Sequence, residues 1–250
     1  MLTEERYRII IQRLQESGVV KLQELVTLLE ASESTIRRDL VDLEERGLLK
    51  RIHGGASLPG HKLPEQGLEE KSSRNIHEKS KIASLAAMQV KDGEYIYIDA
   101  GTTTLAMIPL ISARGVTVVT NGLSHIEALA DQQIDSYLLG GKMKTRTRAV
   151  IGSIALQNME HFRFDRCFLG TNGADVQMGY TTPDPEEALI KRRAHQLSSA
   201  SYVLADASKF GEVSFAKVLE VQEAALITDR MPEAWRESFA NKTKIIEGSQ

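Results

Sequence analysis

The chain has 250 residues, 42% of them hydrophobic and 26% charged, with six prolines and one cysteine. These proportions belong to a folded globular protein and exclude a disordered, fibrous or disulfide-built chain, and the length allows one large domain or two unequal ones. Thirty-one basic against 34 acidic side chains leave a net charge of −3, which argues mildly against nucleic acid binding as a property of the whole chain but not against a small DNA-reading module. The lone Cys167 fits a reducing compartment. The start lacks the basic and apolar regions of a signal peptide, and no apolar run approaches the ~18 residues of a membrane span. The expectation is a cytoplasmic protein with no membrane partner.

The first block, residues 1–57, reads as three helices and a short β-like tail. Thr3 is the expected N-cap of a helix carrying Tyr7, Ile10, Ile11 and Leu14 at helical spacing, ended by Ser17-Gly18. Leu22–Leu29 places Leu22, Leu25, Val26 and Leu29 on one face, and Ser32 caps a third helix with Ile36, Leu40 and Leu43 inward. Gly47 stops that helix, and Gly54-Gly55 can close a tight turn or wing after Leu48–Ile52. Two short helices with a tight turn between them match a helix-turn-helix. Ser34 and Thr35 can donate to phosphate, Arg37 and Arg38 can reach phosphates or guanine edges, and Lys50, Arg51 and His53 add backbone contacts. A solvated face made of Arg37, Arg38, Asp39 and Glu44 explains the same charges without DNA.

The run Ser32-Glu-Ser-Thr-Ile-Arg-Arg-Asp-Leu40, followed by Leu43-Glu-Glu-Arg-Gly-Leu-Leu-Lys-Arg-Ile-His-Gly-Gly-Ala56, resembles the DNA-binding signature of the DeoR family of bacterial transcriptional regulators. The resemblance implies a winged helix-turn-helix that binds double-stranded operator DNA, with Ser34, Thr35, Arg37 and Arg38 on its recognition helix.

Residues 58–76 read as a linker and connecting segment: Pro59, Gly60, Pro64 and Gly67 gather there and periodicity vanishes. The polar stretch Glu69 to Lys81 leads to a helix expected over Ile82–Val90. Residues 77–250 then alternate strand and helix. Strands are expected at Tyr95–Ile98, Val116–Thr120, Ser136–Leu139, Cys167–Leu169, Tyr202–Ala205 and Ala224–Ile227. Helices are expected at Leu105–Ile111, after Asn121-Gly122 through Leu129, and at Pro185–Ser199. Strands that run into glycine-rich loops and then helices indicate a parallel α/β sheet.

Ligands of such sheets sit at the carboxyl ends of the strands. Asp99-Ala-Gly-Thr-Thr-Thr104 leaves a strand and enters a helix, so Gly101 and the hydroxyls of Thr102, Thr103 and Thr104 can cradle an anion, or serve only as a capped turn. The spacing is not that of a P-loop. Asn121 can bond a hydroxyl or only shape a turn. Gly140-Gly141 followed by Lys142, Lys144, Arg146 and Arg148 forms a basic loop suited to phosphate, or merely solvated. Glu187 and Lys191, four apart on one helix face, read either as a surface ion pair or as ligand contacts. Asp206 and Lys209 follow the strand Tyr202–Ala205. Together these groups suit a small polyhydroxylated, phosphorylated ligand.

This block also resembles the DeoR-family sensor domain. The resemblance runs through Ile98-Asp-Ala-Gly-Thr-Thr-Thr104, Thr120-Asn121, Leu139-Gly-Gly141, Phe168-Leu-Gly-Thr-Asn-Gly173, Glu187-Ala…Lys191 and Leu204-Ala-Asp-Ala-Ser-Lys-Phe-Gly211. It implies a fold related to ribose-5-phosphate isomerase and the CoA transferases, used to sense sugar phosphates, with Asn172 and Gly173 among the effector contacts. Leu138-Leu-Gly-Gly141, Phe164-Asp165 and Thr181-Thr-Pro-Asp-Pro-Glu-Glu-Ala188 are most similar to the fructose-operon repressors of Gram-positive bacteria. That likeness implies fructose 1-phosphate as the leading effector. A homo-oligomer that pairs its helix-turn-helix units on repeated half-sites is expected from the way such units bind DNA.

Two other readings remain. A sugar-phosphate isomerase or transferase-like enzyme fused to a helical module needs a poised general base, which Asp99, Glu187 or Asp206 can supply by residue type. Yet the glycine-rich lysine signature of the ribose-phosphate isomerases is absent, and the six histidines share no metal or triad spacing. Cys167, within an apolar strand, reads as core. No catalytic residue, metal or cofactor is therefore expected. A DNA-binding architectural protein with a passive oligomerisation domain would respond to no ligand.

Overall fold

The computed structural model describes residues 2–52, 54–58 and 67–248, and its contacts divide the chain into two units, residues 1–65 and 66–250. In the smaller unit α1 (Thr3–Ser17), α2 (Leu22–Leu29) and α3 (Glu33–Glu45) pack on a three-stranded antiparallel sheet of β1 (Val19–Lys21), β2 (Lys50–Ile52) and β3 (Gly55–Ser57) in the order β1-β3-β2. Tyr7, Ile10 and Leu14 from α1, Leu22, Leu25 and Leu29 from α2, and Ile36, Leu40 and Leu43 from α3 are buried together, as their spacing requires.

Three details differ from the sequence reading. Leu2, not Thr3, stands at the N-cap position of α1. A strand that was not foreseen, β1, crosses so close to β3 that a Cβ on Gly55 would lie 1.9 Å from the Val20 carbonyl oxygen. Asp39 is buried rather than solvated, because Arg6 from α1 donates to both its carboxylate oxygens at 2.6 and 2.8 Å.

In the larger unit a seven-stranded sheet has the order β15-β14-β12-β9-β4-β5-β6, every neighbour parallel. Its strands are β4 (Tyr95–Ile98), β5 (Thr117–Thr120), β6 (Asp135–Leu138), β9 (Phe164–Gly170), β12 (Ser198–Leu204), β14 (Ala225–Thr228) and β15 (Ile245–Glu247). Because side chains alternate along a strand, Tyr97, Cys167, Leu169 and Val203 enter one core while Ile96, Ile98, Phe168 and Leu204 enter another. The helices α8 (Ser153–Met159), α9 (Pro185–Gln196) and α10 (Glu233–Ala240) cover the first face. The second is covered by α5 (Ile76–Ala87), α6 (Thr102–Met107) and α7 (Leu123–Asp131). Covering both faces is what an all-parallel sheet demands.

A hairpin of β7 (Lys142–Lys144) and β8 (Ala149–Ile151) stands where a basic loop was expected. A small antiparallel sheet of β10 (Gly173–Asp175), β11 (Gly179–Thr182) and β13 (Ala216–Leu219) was not foreseen, nor were α8, α10 and β15. The helix expected from Ile82 begins at Ile76, six residues earlier, and a short helix, α4 (Leu68–Ser72), precedes it in the expected connector. Among the described residues no helix is long and apolar enough to cross a membrane.

Candidate functional site

On the smaller unit, α3 exposes Ser34, Arg37 and Arg38, while Thr35 is half-buried. The Ser32 side chain accepts the Thr35 backbone N–H at 3.2 Å, and the Ser34 and Thr35 hydroxyls lie 2.9 and 2.8 Å from its oxygen. The hydroxyls expected to face phosphate are thus drawn into the helix cap. Arg37 pairs with Glu33 at 2.6 Å, and Arg51 with Glu44 at 2.5 Å. Arg37, Arg38 and Arg51 line one open groove of about 530 Å³ with Val41, Gly54 and Gly55. Lys50 is exposed on the wing; His53 lies outside the described residues.

In the larger unit the chain order turns outward on both sides of β4, which places a switch point between β4 and β9. The loops leaving these strands meet there: Asp99 accepts the Gly170 backbone N–H at 3.0 Å and is paired with the buried Lys191 of α9. Burial pushes the Asp99 carboxyl up, against the opposing pull of Lys191. Glu187, also buried, accepts from Lys144 at 3.2 Å and from the Thr147 hydroxyl at 2.9 Å. The surface pair Glu187–Lys191 therefore does not form. One turn apart on α9, the two side chains serve different partners, Lys191 reaching β4 and Glu187 reaching the β7–β8 hairpin.

Several expected ligand contacts hold the loops themselves. The Asn121 side chain accepts from the Tyr97 hydroxyl at 2.9 Å and the Ala100 N–H at 2.8 Å, and donates to the Val150 carbonyl at 3.1 Å. The Thr104 hydroxyl donates to the Asp99 carbonyl at 2.6 Å and is fully buried. Thr102 and Thr103 are the half-buried hydroxyls of that turn. Gly140 donates to Asn158 at 2.9 Å, and Asn172 accepts from Thr182 at 3.1 Å. Gly173 is buried, with the Glu212 carbonyl 2.2 Å from where a Cβ would sit. Arg146, exposed at the hairpin, uses its carbonyl to accept the Leu68 N–H at 2.9 Å.

Sequence reasoning named Asp206 and Lys209 but missed Lys71, Arg74 and Lys79. Asp206 is buried, caps the following turn through the Ser208 N–H at 3.0 Å and accepts from Asn75 at 3.1 Å. Beside it Lys79 of α5 is buried, its ammonium donating to the Lys71 carbonyl. Burial lowers Lys79 to about 8; Asp206 opposes this, while Lys209, Lys71 and Arg74 add to it. The Arg74 Nε is buried without a hydrogen-bond partner. Lys71 of α4, Arg74 of the turn between α4 and α5, and Lys209 of the loop after β12 thus act on Lys79 against Asp206, and α4 and α5 both pack on α6. The only sequence signal was cationic residues in a stretch read as connector. His125 was missed as well: it is buried against Gly122, lies 3.3 Å from the Thr104 hydroxyl, and is lowered to about 4 by burial. Cys167 is buried core, its thiol raised to about 11.

Residues 6–62 match the DeoR-like helix-turn-helix domain, and residues 74–230 the DeoR C terminal sensor domain. Over 246 residues, 98% of each chain, the protein is 50% identical to the HTH-type transcriptional regulator FruR of Bacillus subtilis (strain 168). It is 34% identical to the lactose phosphotransferase system repressor of Staphylococcus epidermidis (strain ATCC 35984 / DSM 28319 / BCRC 17069 / CCUG 31568 / BM 3577 / RP62A), over 95% of this chain and 96% of the relative. A solved ribose 5-phosphate isomerase A from Methanocaldococcus jannaschii aligns with 54% of this chain and 55% of its own, at 17% identity and a TM-score of 0.41.

Proposed function

The chain belongs to the DeoR family of transcriptional regulators, and from that premise we propose that it is an operon repressor released from its operator by a phosphorylated sugar. The observation that carries the sugar-phosphate part is the buried Lys79 ammonium, on which Lys71, Arg74 and Lys209 act with like charge, beside a buried Arg74 Nε that has no hydrogen-bond partner. Like charges acting on one buried ammonium disfavour it, and a bound dianion relieves that repulsion. The phosphate is assigned to these cations and to the turn Gly101–Thr103. The sugar hydroxyls are assigned to the neighbouring polar groups of Asp206 and Lys209 and, deeper, of Glu187 and Lys191. Asn121 and Thr104 hold the loops in place. Motifs shared with fructose-operon repressors make fructose 1-phosphate the leading effector. The naming of a relative for the lactose phosphotransferase system keeps the ligand within the sugars.

On the smaller unit, Ser34, Thr35, Arg37, Arg38, Lys50, Arg51 and His53 are assigned to operator DNA, with two copies of the chain presenting paired helix-turn-helix units to repeated half-sites. The test is thermal unfolding of the protein against a panel of sugars and their phosphates. A ligand at 100 times its dissociation constant adds about 2.7 kcal/mol to the state it binds. A shift with one phosphorylated ketose and not with its parent sugar is expected. No shift with any phosphate would remove the sensor assignment.

A further inference from the structure

The groove on the smaller unit contains three arginines held in different ways, and the difference divides their labour. Arg37 donates through Nε at 2.9 Å and Nη2 at 2.6 Å to the same oxygen, Oε1 of Glu33 one turn earlier on α3. That occupies one edge of the guanidinium and leaves its other fork, formed by Nη1 and the second hydrogen of Nη2, facing away from Glu33. Arg38 is exposed and has no ion-pair partner among the described residues. Arg51 is tied to Glu44 through both its side chain and its backbone N–H, at 2.5 and 2.7 Å.

Both Glu33 and Arg37 are more than half exposed, so as a stabilising contact their pair is worth only a few tenths of a kcal/mol. An acidic side chain beside a phosphate-binding helix end also opposes the approach of DNA. Stability and bulk affinity therefore do not account for this carboxylate, whereas orientation does. A guanidinium fixed along one edge presents its free fork in a defined plane, as bidentate recognition of guanine O6 and N7 requires, and less rotamer entropy is lost when it docks. A lysine-like, unheld Arg38 suits a phosphate, which demands charge more than plane.

We propose that Arg37 is the guanine-reading residue of α3, that Glu33 is the positioning residue that aims it, and that Arg38 contacts the phosphate backbone. The inference rests on the assignment of this unit to operator DNA. Its test starts from duplexes that the full-length protein itself enriches from a random-sequence pool. Binding of the enriched duplex and of each single base-pair substitution is then measured at several salt concentrations for wild type, Glu33→Ala, Glu33→Gln, Arg37→Ala and Arg38→Ala.

Arg37→Ala and Glu33→Ala should lose the preference for guanine at the same position of the half-site, Glu33→Ala by about tenfold, with the salt dependence of Glu33→Ala not reduced. Glu33→Gln, whose amide oxygen still accepts from Arg37, should restore most of the preference. Arg38→Ala should weaken binding to all sequences alike and lower the salt slope by about one. Uniformly tighter binding by Glu33→Ala, with every base preference kept, would overturn the inference and leave the DNA assignment standing. Failure of the wild type to enrich any duplex would overturn the DNA assignment and the inference with it.

Discussion

Replacing Lys79 by Met tests the effector site most directly, because the structure predicts opposite effects on the empty and the occupied protein. Burial brings Lys79 from an ordinary value of 10.5 to about 8, which corresponds to about 3 kcal/mol held against its charged form. Met keeps the buried stem but loses the ammonium's hydrogen bond to the Lys71 carbonyl, worth about 1.5–3 kcal/mol. The two largely cancel, so the empty variant should melt within about 6 °C of wild type, at the 2–4 °C per kcal/mol expected for a unit of this size. The sugar-phosphate shift, about 5–10 °C in wild type at 100 times the dissociation constant, should vanish. The pH dependence provides a second readout. The lysine is lowered in the folded state, so above pH 8 the unfolded chain holds a proton the folded one has released. The empty protein therefore gains stability between about pH 8 and 10.5. Effector affinity falls over the same range, since the ammonium is lost. A melting curve with and without effector, at pH 7 and 9, reads both. A Met variant that keeps the full shift, or a wild type whose affinity does not weaken above pH 8, refutes the reasoning.

His125, lowered to about 4 by burial, binds a proton in the unfolded chain between about pH 6.5 and 4 that the folded chain refuses, so stability falls as pH drops through that window. Urea unfolding at pH 5 and 7 should show about 2 kcal/mol of this dependence in wild type and its loss in His125→Gln. Asp99→Asn leaves the buried Lys191 charge without its partner and should cost about 3–5 kcal/mol, most of it recovered by adding Lys191→Met; equal stability of single and double variants would contradict the ion pair. Asp39→Ala frees the Arg6 guanidinium and should destabilise the smaller unit by about 3 kcal/mol, which DNA titration would register while effector shifts of the larger unit stay unchanged.

What the sequence made legible follows from where the information is local. In α3, Ser32 and the inward Ile36, Leu40 and Leu43 lie within a dozen residues, and together they define cap, face and register. The central strands are legible because burial on both faces demands unbroken apolar runs such as Ile96–Ile98. In the β7–β8 hairpin the lysines of β7 read as an exposed loop, and the apolar run of β8 is only three residues long, too short to announce a strand by itself. Spacing misled at α9, where Glu187 and Lys191 have the separation of a surface pair but are buried by elements 40 or more residues away. Lys79 escaped for the same reason: it looks solvated until α4 and α5 fold onto α6 and bury it against the Lys71 carbonyl, where Asp206 and Lys209 act on it.

Release of DNA requires the effector to favour one arrangement of the chain over another, and a tenfold loss of operator affinity corresponds to about 1.4 kcal/mol of such preference. The helix α4, the first described element after the linker, is where that difference can arise. The Lys71 carbonyl is held by the Lys79 ammonium, and the Leu68 N–H by the Arg146 carbonyl at 2.9 Å. A phosphate drawn to Lys79 competes for the ammonium that fastens Lys71. A hydrogen bond to a charged group is worth about 1.5–3 kcal/mol, enough to supply the preference. Leu68→Pro removes the other fastening while keeping a residue suited to the first turn of a helix. Binding of the effector should survive in this variant, and the tenfold change in operator affinity should shrink to a few-fold, read by DNA titration with and without sugar phosphate. A variant that binds effector and still releases DNA tenfold would show that the signal leaves the sensor by a route other than α4.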